Sequence, residues 1–411
     1  MSEDTVLHQI VQGHARINRA AARICTLLLA AAASFALTVS AYLEDLRPTR
    51  VGAVLAALIV LHLIWRRRFI WPREFTLYAN FLGYMFIVLL WTHDVELAMN
   101  TLVPAINCML AMIFFGSLIE YHSAPTALAG TLCGFLLGVM IYTITQGFPF
   151  SFPLDFSYNA IAGMYAFGLF VTLMYSCFRR SIGLLLVIAI LILLHIIATT
   201  SIKTNLGIAL GFVGASIMYS WHLGRLLRRR ILILIVLVST AGIAVASNDV
   251  LLGKLVDGVR RVSLGIEVLQ ARSDVAGYTG FEDRSYWKQV GMEGWRLNPV
   301  FGYGTEAFRD RYGITSHSTP VDVLYNYGLI GMVLFYGVFV SLMWRLLKLS
   351  NRQVSSQRAL VLAGVVFYIF VSLSGTMHYN IFLAAFVGIS AGLLDFRGGP
   401  SDSTRTLAIK R

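Results

Sequence analysis

The chain has 411 residues, of which 57% are hydrophobic and only 13% are charged. This composition excludes an ordinary soluble globular protein and predicts an integral membrane protein. The formal net charge of +12 does not indicate nucleic-acid binding, because most basic residues form short clusters between apolar runs, where lipid head groups explain them. All four cysteines lie inside apolar runs, so neither a disulfide framework nor a zinc site is expected.

Apolar runs of about the length that crosses the hydrocarbon core divide the chain. The first follows three arginines and resembles a signal peptide, but its length favours a membrane helix. The predicted fold is an all-α integral membrane protein with about twelve transmembrane helices. These helices are predicted at residues 24–42, 50–65, 75–92, 96–119, 125–146, 158–178, 182–200, 205–221, 231–247, 321–344, 359–375 and 377–395.

Basic residues predict the orientation of the helices, because Lys and Arg in short loops prefer the cytoplasmic side. With the N-terminus inside, most Lys and Arg lie in inward segments, whereas the short outward segments hold Arg47, Arg50 and Lys203. Both termini are therefore predicted to be cytoplasmic. The expected parts are helices one to nine (1–247), an outward loop (248–320), helices ten to twelve (321–396) and a cytoplasmic tail (397–411).

The outward loop, 248–320, is the one long hydrophilic segment, and it would face the periplasm in a bacterium with an outer membrane. Apolar residues at helical spacing between Leu255 and Leu269 predict a helix lying on the membrane. A second helix is predicted from Asp283 to Trp295, with Asn298-Pro299 ending it. We expect this loop to hold the active site.

His317 lies at the water boundary just before the tenth predicted helix, where an imidazole can titrate and reach a substrate. On position alone it could equally be an ordinary loop histidine. The stretch His317-Ser318, nine residues, then Gly328-Leu-Ile-Gly331 resembles the signature of the bacterial O-antigen ligase family. Arg284-Ser-Tyr-Trp and Asn298-Pro-Val-Phe-Gly-Tyr-Gly304 resemble the C-terminal region that O-antigen ligases and polymerases share.

The resemblance implies a membrane-embedded glycosyltransferase of the GT-C-like type in the bacterial inner membrane. Such an enzyme transfers a glycan from an undecaprenyl pyrophosphate carrier to the lipid A core, on the periplasmic face, during lipopolysaccharide biosynthesis. The implied reaction inverts the anomeric centre without a metal, and no cofactor is expected. The implied partners are the carrier-linked glycan as donor, the lipid A core oligosaccharide as acceptor, and membrane lipids.

His317 is the expected general base, because displacement at the anomeric carbon requires deprotonation of the acceptor hydroxyl. Asp322 is the candidate carboxylate that orients the imidazole, although it could instead act as the base or cap the tenth helix. The leaving pyrophosphate needs fixed cations, and Arg284, at the expected start of the loop helix, is the first candidate. An exposed ion pair with Asp283 or Glu282 would also explain Arg284.

Other cations could join the pyrophosphate site, and they are Lys203, Arg309, Arg311, Arg47 and Arg50. Lys203 stands where the family usually has an arginine; lysine keeps the charge but loses the bidentate contact, and snorkelling at a helix end explains it equally well. The cluster His93-Asp94-Val-Glu96 could bind a divalent cation, but a solvated loop is the more common explanation, so no metal is expected. Loop aromatics could stack on sugars, although interfacial aromatics are common anyway; they are Tyr286, Trp287, Trp295 and Tyr303.

Other functions remain open on the sequence. An O-antigen polymerase or a protein O-oligosaccharyltransferase would share the C-terminal motifs and differ in its acceptor, although a single large outward loop favours the ligase. A secondary transporter or lipid flippase often has twelve helices. Against it, the long loop does not join two six-helix halves, and ionisable residues inside the predicted helices are few.

Overall fold

The structure is a computed structural model that describes residues 3–40, 48–66, 71–121, 124–146, 158–179, 279–348 and 355–395 except 374 and 376, with short helical pieces between 183 and 211. About 89% of the described residues are helical and none lies in a strand. The longer helices are α1 (Glu3–Ser40), α2 (Pro48–Arg66), α3 (Arg73–Val88), α4 (Val95–Tyr121), α5 (Ala124–Gln146), α6 (Tyr158–Phe178), α7 (Thr279–Leu297), α8 (Ala307–Tyr312), α9 (Thr319–Lys348), α10 (Ser355–Ser372) and α11 (Ile381–Asp395).

The apolar helices have the length and composition of membrane-spanning segments. Within the described residues, five are long and apolar enough to cross a membrane, in α1, α3, α4, α5 and α9, and α2, α6, α10 and α11 are shorter apolar helices. The fold is therefore consistent with the expected all-α membrane protein. The runs predicted at 182–200 and 205–221 lie largely outside the described residues, and the run at 231–247 and the helix predicted between Leu255 and Leu269 lie wholly outside them. The number twelve stays a prediction.

Glycines let neighbouring helices pack closely. A Cβ at Gly134 of α5 would lie 2.0 Å from the Ala31 carbonyl oxygen of α1, and one at Gly388 of α11 would lie 2.4 Å from the Met112 carbonyl oxygen of α4. Side chains larger than hydrogen would force these helix pairs apart. Small residues at helix interfaces are the usual means of close packing in a bilayer, where no hydrophobic effect drives helices together.

The two ends of the helices differ in chemistry. At one end, the buried Glu74 at the start of α3 accepts hydrogen bonds from Ser341 (2.9 Å) and Arg345 (2.8 Å) near the end of α9. Arg73 and Lys348 are exposed at the same end. At the other end, the end of α3 and the start of α9 meet the polar segment 298–318.

Two predicted boundaries differ from the structure. Helix α7 begins at Thr279 and not at Asp283, so Arg284 lies in its second turn; the expectation that Arg284 opens this helix was wrong, because the run Thr279–Asp283 is helical as well. Residues 373–380 separate α10 from α11, a longer connection than predicted. The predicted end of α7 is confirmed, since the Asn298 N–H closes its last turn on the Trp295 carbonyl.

Candidate active site

Helix α9 is broken at Gly328, where φ is 62° and ψ is −162°. Around the break its backbone pairs with the loop that follows α7. The hydrogen bonds run from Tyr303 N–H to the Tyr325 carbonyl, from Gly304 N–H to Asn326, from Leu329 N–H to Pro299 and from Ile330 N–H to Val300. A Cβ at Gly328 would lie 2.2 Å from the Val300 carbonyl oxygen, so only glycine allows this approach. The break thus brings the motifs 298–304 and 328–331 into direct contact.

The same loop is anchored on the end of α3. The Thr305 N–H donates to Thr92 Oγ1 (3.0 Å), and the Tyr84 hydroxyl donates to the Phe301 carbonyl (3.0 Å). Gly304 has φ 113°, and a Cβ there would lie 2.6 Å from Thr92 Oγ1. The loop is therefore held between α3 and α9, at the end of the helices opposite Glu74.

Glu306 follows this loop and is buried, with 3% of its surface exposed. Its φ of 58° is left-handed, a conformation that residues other than glycine adopt rarely and that is common at functional sites. The pKa of Glu306 is raised to about 7, chiefly by burial and also by the Asp322 carboxylate, against the opposing effects of the Arg309 guanidinium and a hydrogen bond with Thr101 of α4. Glu306 therefore titrates near neutral pH, where acid–base groups of active sites titrate.

His317 lies half-buried in the turn between α8 and α9, and its φ is also 58°. On either side of it, Ser316 Oγ donates to the Ser318 carbonyl (3.0 Å) and accepts from the Ser318 N–H (3.2 Å). Asp322, which is buried, accepts a hydrogen bond from the Ser316 N–H (2.9 Å). Asp322 therefore fixes the turn that carries His317.

His378 lies in the connection between α10 and α11, and the surrounding elements hold its backbone. Its carbonyl accepts from the Tyr78 hydroxyl of α3 (3.2 Å). The preceding Met377 donates its N–H to Thr319 Oγ1 at the start of α9 (2.7 Å). Its ring packs edge-on against Tyr379, with 4.4 Å between ring centroids. The ring position is thus set by contacts with α3, α9 and its own connection.

The imidazole of His378 is only 2% exposed, yet neither ring nitrogen has a hydrogen-bond partner among the residues that the structure describes. Burial lowers the pKa of His378 to about 3, so the ring is neutral at physiological pH. A neutral imidazole keeps one N–H donor and one acceptor nitrogen. Both are left unused, which is rare for buried polar groups.

Glu306, Asp322 and His378 line one pocket at the polar end of the helices, which we call the Glu306 pocket. Its lining residues are Glu306, Phe308, Arg309, Thr315, Asp322, Asn326 and His378. The Asn326 amide is fixed, because its oxygen accepts the Phe308 N–H (2.9 Å). Helix α8, the His317 turn, the first turns of α9 and the α10–α11 connection all contribute to the pocket.

The two arginines of α8 have different surroundings. Arg309 is exposed at the rim of the Glu306 pocket, and its charge acts on Glu306. Arg311 lies over the Tyr312 ring, 5.6 Å from its centroid, and beside Tyr325. The structure therefore brings Arg309 to the pocket and places Arg311 against an aromatic cluster.

The aromatic residues predicted to stack on sugars pack mainly on each other and on the protein. Tyr303 stacks on Tyr325, with 4.8 Å between ring centroids, and Trp287 packs on Phe308 at 6.3 Å. The Trp295 indole N–H donates to a backbone carbonyl (3.0 Å). The Trp287 contact docks α7 on α8, and the Tyr303 contact docks the loop after α7 on α9.

The remaining predicted cations lie on other elements or outside the described residues. The backbone of Arg284 lies in α7, and Arg50 is exposed at the start of α2. Lys203 and Arg47 lie outside the described residues. Of Arg309, Arg311 and Arg50, only Arg309 lines the pocket.

The acidic cluster before α4 forms local contacts. His93 Nδ1 lies 3.1 Å from Asp310 Oδ2 of α8, and Asp94 accepts the Leu97 N–H (2.9 Å) at the start of α4. Within the described part of the chain, no three His, Cys, Asp or Glu side chains lie close enough together to hold a metal ion. The cluster caps α4 and contacts α8.

The chain matches no protein-family model and no curated protein. The resemblance over residues 284–331 therefore rests on the motifs themselves, and the function must be argued from the site.

The sequence did not indicate two ionisable residues of the pocket, Glu306 and His378. Glu306 lies two positions after the Gly302-Tyr-Gly304 motif, and this short distance from the motif was the indication that the sequence offered. His378 lies at the start of the predicted helix 377–395, and no motif or spacing singles it out. Neither spacing nor composition indicates that both side chains turn into one buried pocket.

Proposed function

We propose that this chain is a lipid-linked glycan transferase of the O-antigen ligase type, which moves a glycan from undecaprenyl pyrophosphate to the lipid A core. The observation that carries the proposal is the backbone pairing between residues 299–304 and 325–330. This pairing joins the two motif segments and places Glu306, Asp322 and the His317 turn at one end of the apolar helices. A polar pocket at that end suits a substrate with a lipid carrier and a hydrated glycan.

The chemistry at the two ends supports the proposed membrane orientation. Arg73, Arg345 and Lys348 lie at the end opposite the pocket, as expected for a cytoplasmic face under the positive-inside rule. We accordingly assign the pocket to the periplasmic face of the inner membrane. Twelve spans and two cytoplasmic termini complete the proposed topology.

In the proposed reaction, the acceptor hydroxyl oxygen attacks the anomeric carbon of the donor glycan. Its proton passes to the His317 imidazole, and the bond between the anomeric carbon and the pyrophosphate oxygen breaks with inversion. A positioned general base contributes about 10²- to 10⁴-fold in rate. Asp322 supports this role because it fixes the backbone at Ser316, one residue before the base.

The departing undecaprenyl pyrophosphate carries the negative charge that develops in the transition state, so fixed cations should lie near the reacting bond. Arg309 fits this role best among the described residues, because it is exposed at the rim of the Glu306 pocket. We propose that the other cations complete the site from neighbouring segments. They are Arg284, Lys203, Arg311, Arg47 and Arg50.

The test is reconstitution of the purified chain in proteoliposomes with a carrier-linked donor, with lipid A core and a peptide offered together as acceptors. Glycan on the lipid A core would support the ligase. Glycan on the peptide would indicate a protein O-oligosaccharyltransferase, and a lengthened carrier-linked glycan would indicate a polymerase. The absence of every transfer product, in a preparation that is folded and inserted, would contradict an enzyme of this class.

A further inference from the structure

We propose that the Glu306 pocket binds a hydroxyl group of the acceptor sugar, which is held between the His378 imidazole and the carboxyl groups of Glu306 and Asp322. The inference rests on the proposed function and assigns an acceptor site to residues that no motif supplies. Glu306 and His378 are new assignments.

The unused nitrogens of His378 are the first observation. The imidazole is almost fully buried and lines the pocket, and neither nitrogen finds a partner in the described part of the protein. Contacts with Tyr78, Thr319 and Tyr379 fix its surroundings. A sugar hydroxyl both donates and accepts a hydrogen bond, so it complements a neutral imidazole and a carboxyl group at the same time.

The charge of the pocket favours a neutral ligand. Near neutral pH, the Glu306 carboxyl is partly protonated and His378 is uncharged, while Asp322 and Arg309 carry opposite charges. The pyrophosphate group would meet two carboxyl groups there, which disfavours it. Glu306, Asp322 and His378 all line the pocket, but among the described residues no three such side chains lie close enough together to hold a metal ion.

The pocket also lies where an acceptor is needed. Thr315, in its lining, belongs to the same short turn as His317, and Asp322 bonds that turn at Ser316. A sugar anchored in the pocket by one hydroxyl would therefore lie near the turn that carries the proposed base. A neighbouring hydroxyl could then be the one that attacks.

The variant His378→Phe tests the proposal with the ring shape preserved. It keeps a ring against Tyr379 and Tyr327 but removes both nitrogens. Because hydrogen bonds of this kind account for about three- to tenfold in affinity, the acceptor KM should rise by that factor. The donor KM and inhibition by inorganic pyrophosphate should not change. If His378 has only a structural role, the opposite pattern is expected. His378→Phe would then raise the thermal midpoint, because it removes two unpaired nitrogens, and would leave the acceptor KM unchanged.

Glu306→Gln is a second variant that keeps the shape of the side chain, and His62→Phe is the matched control. His62 is also buried, but it lies in α2, which does not line the pocket. Glu306→Gln should raise the acceptor KM, whereas His62→Phe should leave it at the wild-type value. Equal effects of His62→Phe and His378→Phe would overturn the proposal.

A binding measurement separates this proposal from the proposed function. The probe is the lipid A core oligosaccharide freed of its acyl chains, titrated calorimetrically into the purified protein without donor. Weaker binding by His378→Phe than by the wild type supports the pocket, even if no glycan is transferred. If the wild type transfers glycan, and if His378→Phe and Glu306→Gln bind the oligosaccharide and use the acceptor with unchanged KM, the acceptor pocket is refuted. The proposed function then still stands. A wild type that neither binds nor transfers refutes both.

Discussion

Substitution of Glu306 by glutamine should change how the stability of the protein depends on pH. The pKa of the folded protein's Glu306 is raised from 4.5 to about 7, which corresponds to about 3 kcal/mol of preference for the protonated form. The folded state therefore binds more protons than the unfolded state between these values. The contribution of protonated Glu306 to the free energy of unfolding is fully present below pH 4.5 and is lost as the pH rises through 7.

The Glu306→Gln variant lacks this titration. Its free energy of unfolding should therefore rise relative to that of the wild type by about 3 kcal/mol between pH 4.5 and pH 8. The groups around Glu306 that influence or share its site are Asp322, Arg309, Tyr327, Tyr379 and His378. Of these, His378 titrates well below this range, at about 3.

Thermal unfolding in detergent, followed by tryptophan fluorescence at pH 5 and pH 8, measures the difference between the two midpoints. Glu293→Gln is the matched control, because Glu293 is exposed on α7 and should show no such change. If the thermal midpoint changes equally between pH 5 and pH 8 in the wild type and in Glu306→Gln, Glu306 ionises as an ordinary carboxyl group. The argument that burial raises its pKa would then be wrong.

Three further substitutions and one chelation experiment test other features. His317→Asn, which tolerates the left-handed backbone better than alanine does, should lower transfer by at least about 100-fold with no loss of folding; near wild-type turnover would remove His317 from the mechanism. Gly328→Ala should destabilise the protein by about 1–3 kcal/mol or more. Gly337→Ala in the same helix is the control, because its added methyl group meets only ordinary contacts. Equal thermal midpoints for the two variants would contradict the backbone pairing at the α9 break. Arg345→Met should cost about 3–5 kcal/mol because it leaves Glu74 buried without its cation, and Glu74→Gln should recover part of the loss in the double variant's midpoint. Transfer should persist in excess EDTA, and its loss with restoration by a divalent cation would refute the metal-free proposal.

The apolar helices that the structure describes could be predicted because a membrane-spanning helix needs a long apolar run, which is visible in the sequence. The motif positions were also informative: the segments 298–304 and 328–331, identified only by resemblance, contact each other directly. The sequence did not predict where a helix is interrupted inside an apolar run or which residues of a polar run are buried. The run 321–344 was predicted as one unbroken helix, since its hydropathy does not change at Gly328.

The buried acid–base groups were harder to predict because their environment is tertiary. Glu306 is a polar residue in a polar loop, and only the approach of α4 and α9 buries it and raises its pKa. His378 lies at the start of the predicted helix 377–395, and its burial against the rings of Tyr327 and Phe335 is a tertiary contact that no sequence pattern indicates. Such residues acquire their chemistry from segments hundreds of positions away.

The break in α9 has a consequence for how the protein is assembled in the membrane. Around Gly328 the helix cannot satisfy its own backbone, and unsatisfied amides are costly in hydrocarbon. Residues 299–304 supply the missing partners, so the first part of α9 becomes stable only when the preceding loop has folded back onto it. The pocket should therefore mature late during synthesis, and a chain truncated before α9 would expose a half-formed loop to quality-control proteases.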